Sequence, residues 1–322
     1  MRNLATILEI LKPKPSPYRL FRLGGSTDGA YLIPSDLQGI NACFSPGCAN
    51  HKLFEDELTN RFDIRCHLMD FSSDADSFST PLVPSKQTFQ KKWLDIDGGP
   101  NSVTLSEWIS PLEPTGDLLL QMDIEGAEYR NLANCPLTLL KRFRIIVLEM
   151  HDLQIQYNTA LFVESIAPVI QLLGDHFVSV HAHANNAGGR EWCPETGLDV
   201  PHVLEITFLR KDRFELASEL TTYPPMIPHP LDIERNCTDL PPLFLSEAWL
   251  PQQKRALESQ AKAHSIYTAN AGICLDDLYR QLETAECRIQ SLERRLQNLN
   301  WLAWLEKSAK SIKTLFTKQD KI

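Results

Sequence analysis

Residues 118–129 read LLLQMDIEGAEY, and this stretch limits the fold more than any other. An aliphatic run without polar alternation predicts a strand buried on both faces, as in a parallel sheet covered by helices. The run ends in Asp123 and Glu125, and Gly126 then opens a helical turn. Open α/β sheets bind ligands at the carboxyl ends of such strands. The acid pair therefore reads as a polar site; the alternative is two solvated acids at a helix N-terminus.

Similar signals recur over residues 1–240. A short amphipathic helix at Leu4–Leu11 is stopped by Pro13 and Pro15, and 18–33, punctuated by Gly24, Gly25 and Gly29, suggests a hairpin. Further strands are expected at 42–45, 64–69, 89–93, 118–122, Phe143–Met150, 177–182 and 203–209, with helices after Ala49 to about Arg61, at 104–109 and at 160–173. Strands alternating with helices predict a Rossmann-like, doubly wound α/β sheet of seven strands. No helix signal separates the last two strands, so one of them is expected to run antiparallel, since a parallel neighbour needs a crossover. Six prolines over 222–242 predict a stiff linker or a wrapping segment, and 241–272 a connector.

The third part, 273–322, reads as helical. Leu275, Leu278, Leu282, Ala285, Ile289, Leu292, Leu296 and Leu299 alternate spacings of three and four. That seam predicts a coiled coil and a homo-oligomer through residues 275–299, or else a long helix docked on its own domain. Beyond it, Trp301, Trp304, Leu305, Ile312, Leu315 and Phe316 form a stripe among five lysines. Peripheral membrane contact through 301–322 is one reading. A solvated face of an oligomerisation helix is the other.

Composition closes off several classes. The 322 residues carry a net charge of -9, which gives no footprint for nucleic acid. Eight scattered cysteines without a C-x-x-C pair argue against a zinc ribbon or a disulfide scaffold and fit a reduced cytoplasm. The N-terminal run lacks the features of a signal peptide, and no segment has the apolar length of a membrane span. The expected location is cytoplasmic, with the inner membrane face as an option for the basic tail.

A cofactor site follows from the sheet. The first strand leads into Ser45-Pro46-Gly47-Cys48-Ala49, similar to a degenerate nucleotide-binding turn, in which Gly47 admits a close backbone approach and the next helix offers N–H groups. Asp70 follows at the end of the second strand, where an acid can accept ribose hydroxyls; a turn residue is the alternative.

Taken together, DIEGAEY from Asp123, IVLEMHDL from Ile146, HAHANN from His181 and VLEITFLR from Val203 resemble the FkbM-like class I methyltransferases. TDGAYLIP from Thr27, TLSEWI from Thr104 and PHPLDIERN from Pro228 fit the same family. The likeness spans roughly residues 18–240; the loop after Ser45 departs from it, having fewer glycines than such enzymes often carry. The resemblance implies a seven-stranded sheet with its last strand reversed, S-adenosylmethionine as cofactor, and methyl transfer to oxygen, often on a sugar, lipid or natural-product hydroxyl. Carried over, Ser45, Gly47 and Asp70 would hold the cofactor, and Asp123 would sit near its methionine end or the acceptor.

A sugar hydroxyl needs a general base or a metal ion to become nucleophilic. Candidates gather at strand ends: Asp123 and Glu125, Glu149 and His151, then His181, His183 and Asn185. His183 or His151 is the expected base, because imidazole titrates near neutral pH. Alternatively Asp123, Glu149 and His151 would hold Mg²⁺ or Mn²⁺. His181 and His183 stand two apart on a strand and so share a face. Competing functions are an inactive methyltransferase-like scaffold assembled through the coiled coil, and an NAD-dependent oxidoreductase, which the missing G-x-G-x-x-G disfavours.

Overall fold

Aliphatic runs with no polar alternation must be covered on both sides, and the covering elements can be named. The computed structural model describes residues 4–154, 162–194, 196–216 and 222–251. Helix α1 (Leu4–Leu11) comes first, then a hairpin of β1 (Leu20–Leu23) and β2 (Tyr31–Pro34). Strand β3 (Ile40–Pro46), helix α2 (Leu53–Phe62) and strand β4 (Arg65–Met69) follow, then β5 (Gln87–Gln90). A two-residue pair, β6 (Trp93–Leu94) with β7 (Ser102–Val103), precedes α3 (Leu105–Leu112), β8 (Asp117–Met122), α4 (Glu128–Asn134), α5 (Leu137–Leu140) and β9 (Phe143–Met150). The remainder is α6 (Ala167–His176), β10 (Phe177–Ala184), β11 (Arg190–Cys193), β12 (Leu198–Pro201), β13 (Leu204–Arg210) and α7 (Asp212–Leu216).

The main sheet has the order β10-β13-β9-β8-β3-β4-β5. Pairings from β9 through β5 are parallel, and β13 is antiparallel to both its neighbours. The reversed strand expected at the end of the sheet is therefore β13. The hairpin β11–β12 lies between β10 and β13 in the chain, so no crossover helix returns the chain.

Alternate side chains of the central strands enter two separate cores, as strand geometry requires. Ala42, Phe44, Leu118, Leu120, Ile146 and Leu148 join α1, α3 and α6 on one face. Cys43, Leu119, Ile145 and Val147 join the β1–β2 hairpin and α2 on the other. Each fully buried aliphatic side chain contributes roughly 1.5–3 kcal/mol.

Several boundaries move. Thr104 is the N-cap of α3 rather than its first residue, and forms a capping box with Glu107. The strand expected at 89–93 is Gln87–Gln90; Trp93 leaves the sheet to pair with Ser102 and stacks on Phe71. In the helix expected at 160–173, the described part starts with a π-helical turn, Phe162–Ile166, and the α-helix begins at Ala167 with proline in its first turn. Between β10 and β13, residues 190–201 hold the hairpin β11–β12.

The proline-rich segment wraps the domain. It contains no helix or strand between 224 and 242, and Tyr223 pairs with Ser16. Burial continues past the expected boundary at 240, through Leu245, Trp249 and Leu250, and the Trp249 indole donates to the Asp199 carbonyl. All described residues belong to one unit, 1–256. Most of the connector, the coiled coil at 275–299 and the basic tail at 301–322 lie outside the described residues. Among the described residues no helix is long and apolar enough to cross a membrane.

Candidate functional site

Strand order reverses between β3 and β8, because β4 and β5 lie to one side of β3 while β8 and β9 lie to the other. A crevice at the carboxyl ends of such strands is the expected ligand position. The turn after β3 fills its floor. Gly47, at φ +86, donates its N–H to the Met69 carbonyl at 2.8 Å, and the Asp123 N–H donates to the Pro46 carbonyl at 3.2 Å. A Cβ on Gly47 would stand 1.5 Å from the Asp123 carbonyl oxygen. Glycine is required here because β8 backbone, not a ligand, approaches it.

The turn's amides are also committed. Ala49 N–H donates to Asp70 Oδ2 at 2.8 Å, Asn50 N–H to Ser73 Oγ at 2.9 Å, and His51 N–H to the Cys48 carbonyl at 2.7 Å. These groups were expected to face a cofactor, and they hold the turn together instead. Ser45 is displaced from the expected site as well. It is fully buried, its hydroxyl paired with Glu55 and Gln121, because strand alternation turns it into the protein.

Asp70 sits where expected, at the end of β4, on the far side of the same turn from Asp123. Its Oδ1 accepts from Ser72 N–H at 2.7 Å and Ser72 Oγ at 2.6 Å. Burial raises its pKa, but these bonds and the one from Ala49 outweigh that and hold it below the usual range. A carboxylate has about four acceptor positions, and Ala49, Ser72 (through both its N–H and its hydroxyl) and Ser73 engage them. Within this structure Asp70 is committed to its own turn.

The acids at β8 and β9 converge on His151. Its Nδ1 lies 3.2 Å from Glu128 Oε1 and 3.1 Å from the Glu149 carbonyl. Its Nε2 lies 3.4 Å from Glu125 Oε2 and 3.8 Å from both Asp123 Oδ1 and Glu149 Oε1. Burial would lower the His151 pKa, but the Glu128 hydrogen bond and the charges of Glu128, Asp123 and Glu125 push it up to about 9. A histidine favoured in its charged form is a poorer proton acceptor than a free imidazole. Burial, offset in part by His151, pushes the neighbouring Asp123 carboxyl up to about 7.

The DIEGAE turn is strained. Glu125 at φ +55 and Gly126 at φ +94 are both left-handed, and the Glu125 side chain is 88% exposed. Buried Glu128 fixes the turn by accepting the Ile124 N–H at 2.8 Å. Asp123 and Glu125 therefore do not cap α4.

His181 and His183 do share a face, and the wrapping segment meets them there. Asp232 Oδ1 is 2.9 Å from His181 Nε2, and Oδ2 is 3.6 Å from His183 Nδ1. His183 Nε2 lies 3.2 Å from Asn236 Oδ1, an acceptor. Burial would lower the His183 pKa, yet Asp232 and Glu205 leave it raised. With a carboxylate at one nitrogen and an amide oxygen at the other, His183 has no nitrogen free for a substrate proton, and its place is positional. Asp232, also buried, is driven far below the usual carboxylate range by its two histidine bonds.

The expected metal set, Asp123, Glu149 and His151, divides in two. Asp123, Glu125 and His151 form one group, and Glu149 joins Asp28 and Glu205 in another, each with its ligand atoms within 4.8 Å of one another. Residues without an expected role therefore line the site: Asp28, Glu128, Asp232 and Asn236. Each lies inside a segment that carries the family resemblance, which was the available signal.

The fold and site define a Rossmann-like α/β protein with a cluster of carboxylates at the strand ends beside its topological switch point. Neither family profiles nor curated proteins nor solved structures match this chain.

Proposed function

We propose that this chain is an S-adenosylmethionine-dependent O-methyltransferase acting on a sugar or glycan hydroxyl. The observation that carries the reading is Asp123. It stands at the switch-point edge against the Gly47 turn, its side chain is 26% exposed, and its carboxyl is pushed up to about 7. The reversed strand β13, between β9 and β10, agrees with the sheet that the sequence resemblance implies.

When bound, S-adenosylmethionine supplies a sulfonium-activated methyl group, transferred by in-line displacement. Asp123 accepts the proton of the acceptor hydroxyl as the new O–CH₃ bond forms and the C–S bond breaks. A base with a pKa near 7 suits this at neutral pH. His151, as imidazolium, sets the charge beside Asp123. Asp70 stands at the β4 end where the ribose of the cofactor would lie, and alignment supplies most of the rate.

Titration calorimetry with S-adenosylmethionine and with NAD tests the reading, together with transfer of labelled methyl to glycan extracts. Binding of NAD alone would move the chain to the oxidoreductases. Cofactor binding with no transfer, unaffected by Asp123→Asn, would favour a scaffold. Asp123→Asn should lower kcat by roughly 10²–10⁴-fold, the usual worth of a general base.

A further inference from the structure

We propose that Asp28, Glu149 and Glu205 form a site for a hard divalent cation, Mg²⁺ or Mn²⁺. The three carboxylates come from separate elements: the β1–β2 connection, the end of β9 and the start of β13. Their candidate ligand oxygens lie within 4.8 Å of one another. Glu205 and Glu149 are direct cross-strand partners in the β13–β9 register. Like charges placed opposite each other across strands destabilise a sheet unless something neutralises them.

Two further observations point to a ligand. Glu149 is only 6% exposed, and its Oε2 is buried without a hydrogen-bond partner. Leaving such an oxygen unpaired costs roughly 1–3 kcal/mol or more for a charged group. Second, among the described residues no lysine or arginine forms an ion pair with Asp28, Asp123, Glu125, Glu128, Glu149 or Glu205; their cationic neighbours are His151, beside Asp123, Glu125, Glu128 and Glu149, and His183 with the more distant Arg22, which act on Glu205.

The surrounding amides match the outer shell of a metal centre. Asn185 Nδ2 donates to Glu149 Oε1 at 2.8 Å, while Asn236 Nδ2 donates to Asp28 Oδ1 at 3.0 Å and to Glu205. Each carboxylate is oriented through one oxygen, as ligating carboxylates commonly are. An all-oxygen donor set selects Mg²⁺ or Mn²⁺ over zinc or copper. The Asp123, Glu125 and His151 group is the weaker candidate, because Glu125 is largely exposed.

Glu149 Oε1 also lies 3.8 Å from His151 Nε2, so this cation would stand next to the Asp123 site. There it would take a hydroxyl of an acceptor with adjacent hydroxyls and lower its pKa. That last role rests on the methyltransferase reading; the cation site does not.

The test is Mn²⁺ binding to the full chain after EDTA treatment, followed by electron paramagnetic resonance and by thermal melting, with no methyl donor present. The expected result is one bound Mn²⁺ that raises the melting temperature. Asp28→Asn is on an exposed residue and should keep the fold while weakening Mn²⁺ at least 10-fold to 100-fold, the range known for outer-shell losses alone. Glu205→Gln should do the same, and Glu125→Gln should bind as wild type. No Mn²⁺ bound at millimolar concentration overturns the proposal. So does wild-type binding by Asp28→Asn and Glu205→Gln, or loss confined to Glu125→Gln. Titration of the same samples with S-adenosylmethionine reports on the methyltransferase reading separately.

Discussion

Gly47→Ala isolates what the β3 turn does, because the same strand offers its own control. Gly39, just before β3, has φ +82, and a Cβ there would meet only Arg144 Nη2 at 3.6 Å, an ordinary contact. Gly39→Ala therefore carries the left-handed backbone term alone, about 1–2 kcal/mol. Gly47 has nearly the same φ, +86, but its Cβ would stand 1.5 Å from the Asp123 carbonyl oxygen and 2.6 Å from the carbonyl carbon. Those are backbone atoms at the end of β8, so no rotamer change relieves them. The strand end must move by roughly the missing distance, on top of the same φ penalty. Overpacking of this kind typically costs a further 1–3 kcal/mol or more. Urea unfolding should thus show Gly47→Ala at least about 1 kcal/mol less stable than Gly39→Ala, at similar m-values. A displacement of about 1 Å at reacting groups can cost about 10²-fold in rate. Methyl transfer should fall by at least that factor in Gly47→Ala and stay near wild type in Gly39→Ala. Equal stability losses in the two variants would refute the argument that glycine is present for the approach of Asp123.

Further outcomes are expected elsewhere. Burial, opposed by Ser45 and by its own backbone, pushes the Glu55 carboxyl up to about 7 from 4.5, a gap worth about 3 kcal/mol. The folded pKa is raised, so this stability is present below pH 4.5 and lost as pH rises through 7. Glu55→Gln should lack that decline, and the difference in unfolding free energy from wild type should shift by about 3 kcal/mol between pH 4 and 8, whereas parallel curves would rule the burial argument out. Asp232→Asn leaves His181 and His183 without their buried carboxylate and should cost roughly 3–5 kcal/mol in denaturant melts; a loss under about 1 kcal/mol would mean the wrapping segment is not held there. Removal of residues 275–322 should turn an oligomer into a monomer by light scattering while 1–256 stays folded, and an unchanged mass would refute assembly through that seam.

Much of the sheet was legible because its strands announce themselves. Phe143–Met150 is buried at every position and reads FRIIVLEM, so expectation and structure coincide there. The site was legible only where its residues end such strands, as Asp70, Asp123, Glu149 and His183 do. Asp232 and Asn236 reach it from a proline-rich stretch with no periodicity, and their partners are some fifty residues away along the chain. Protonation was hidden for the same reason. That His151 is surrounded by Asp123, Glu125, Glu128 and Glu149 follows from three-dimensional packing, which favours its charged form. Ser45 and Asp123 both lie by the switch point, yet one points into the protein and the other to the crevice, a difference set by strand parity and by where each strand ends.

Reversal of β13 gives the site its chemistry. In a parallel sheet every strand brings its carboxyl end to the ligand edge, so the neighbour of β9 would have met Glu149 with the residues that close it. Running antiparallel, β13 instead brings its first turn of chain, with Glu205 opposite Glu149. On its other side, β10 is parallel to β9 and delivers His183 and Asn185 to the same edge, His183 in register with Glu205. One reversed strand thus sets an acid between an acid and an imidazole, with Asp28 of the β1–β2 connection close to both acids. Burial together with this arrangement pushes Glu149 up to about 11 and Glu205 to about 7, with Asp123 and Glu205 adding to the first and His183 easing the second. A fold that only needed stability would place an apolar residue at position 205, as at Leu204, Ile206 and Phe208 around it. Keeping the acid there is a cost that the proposed cation would offset.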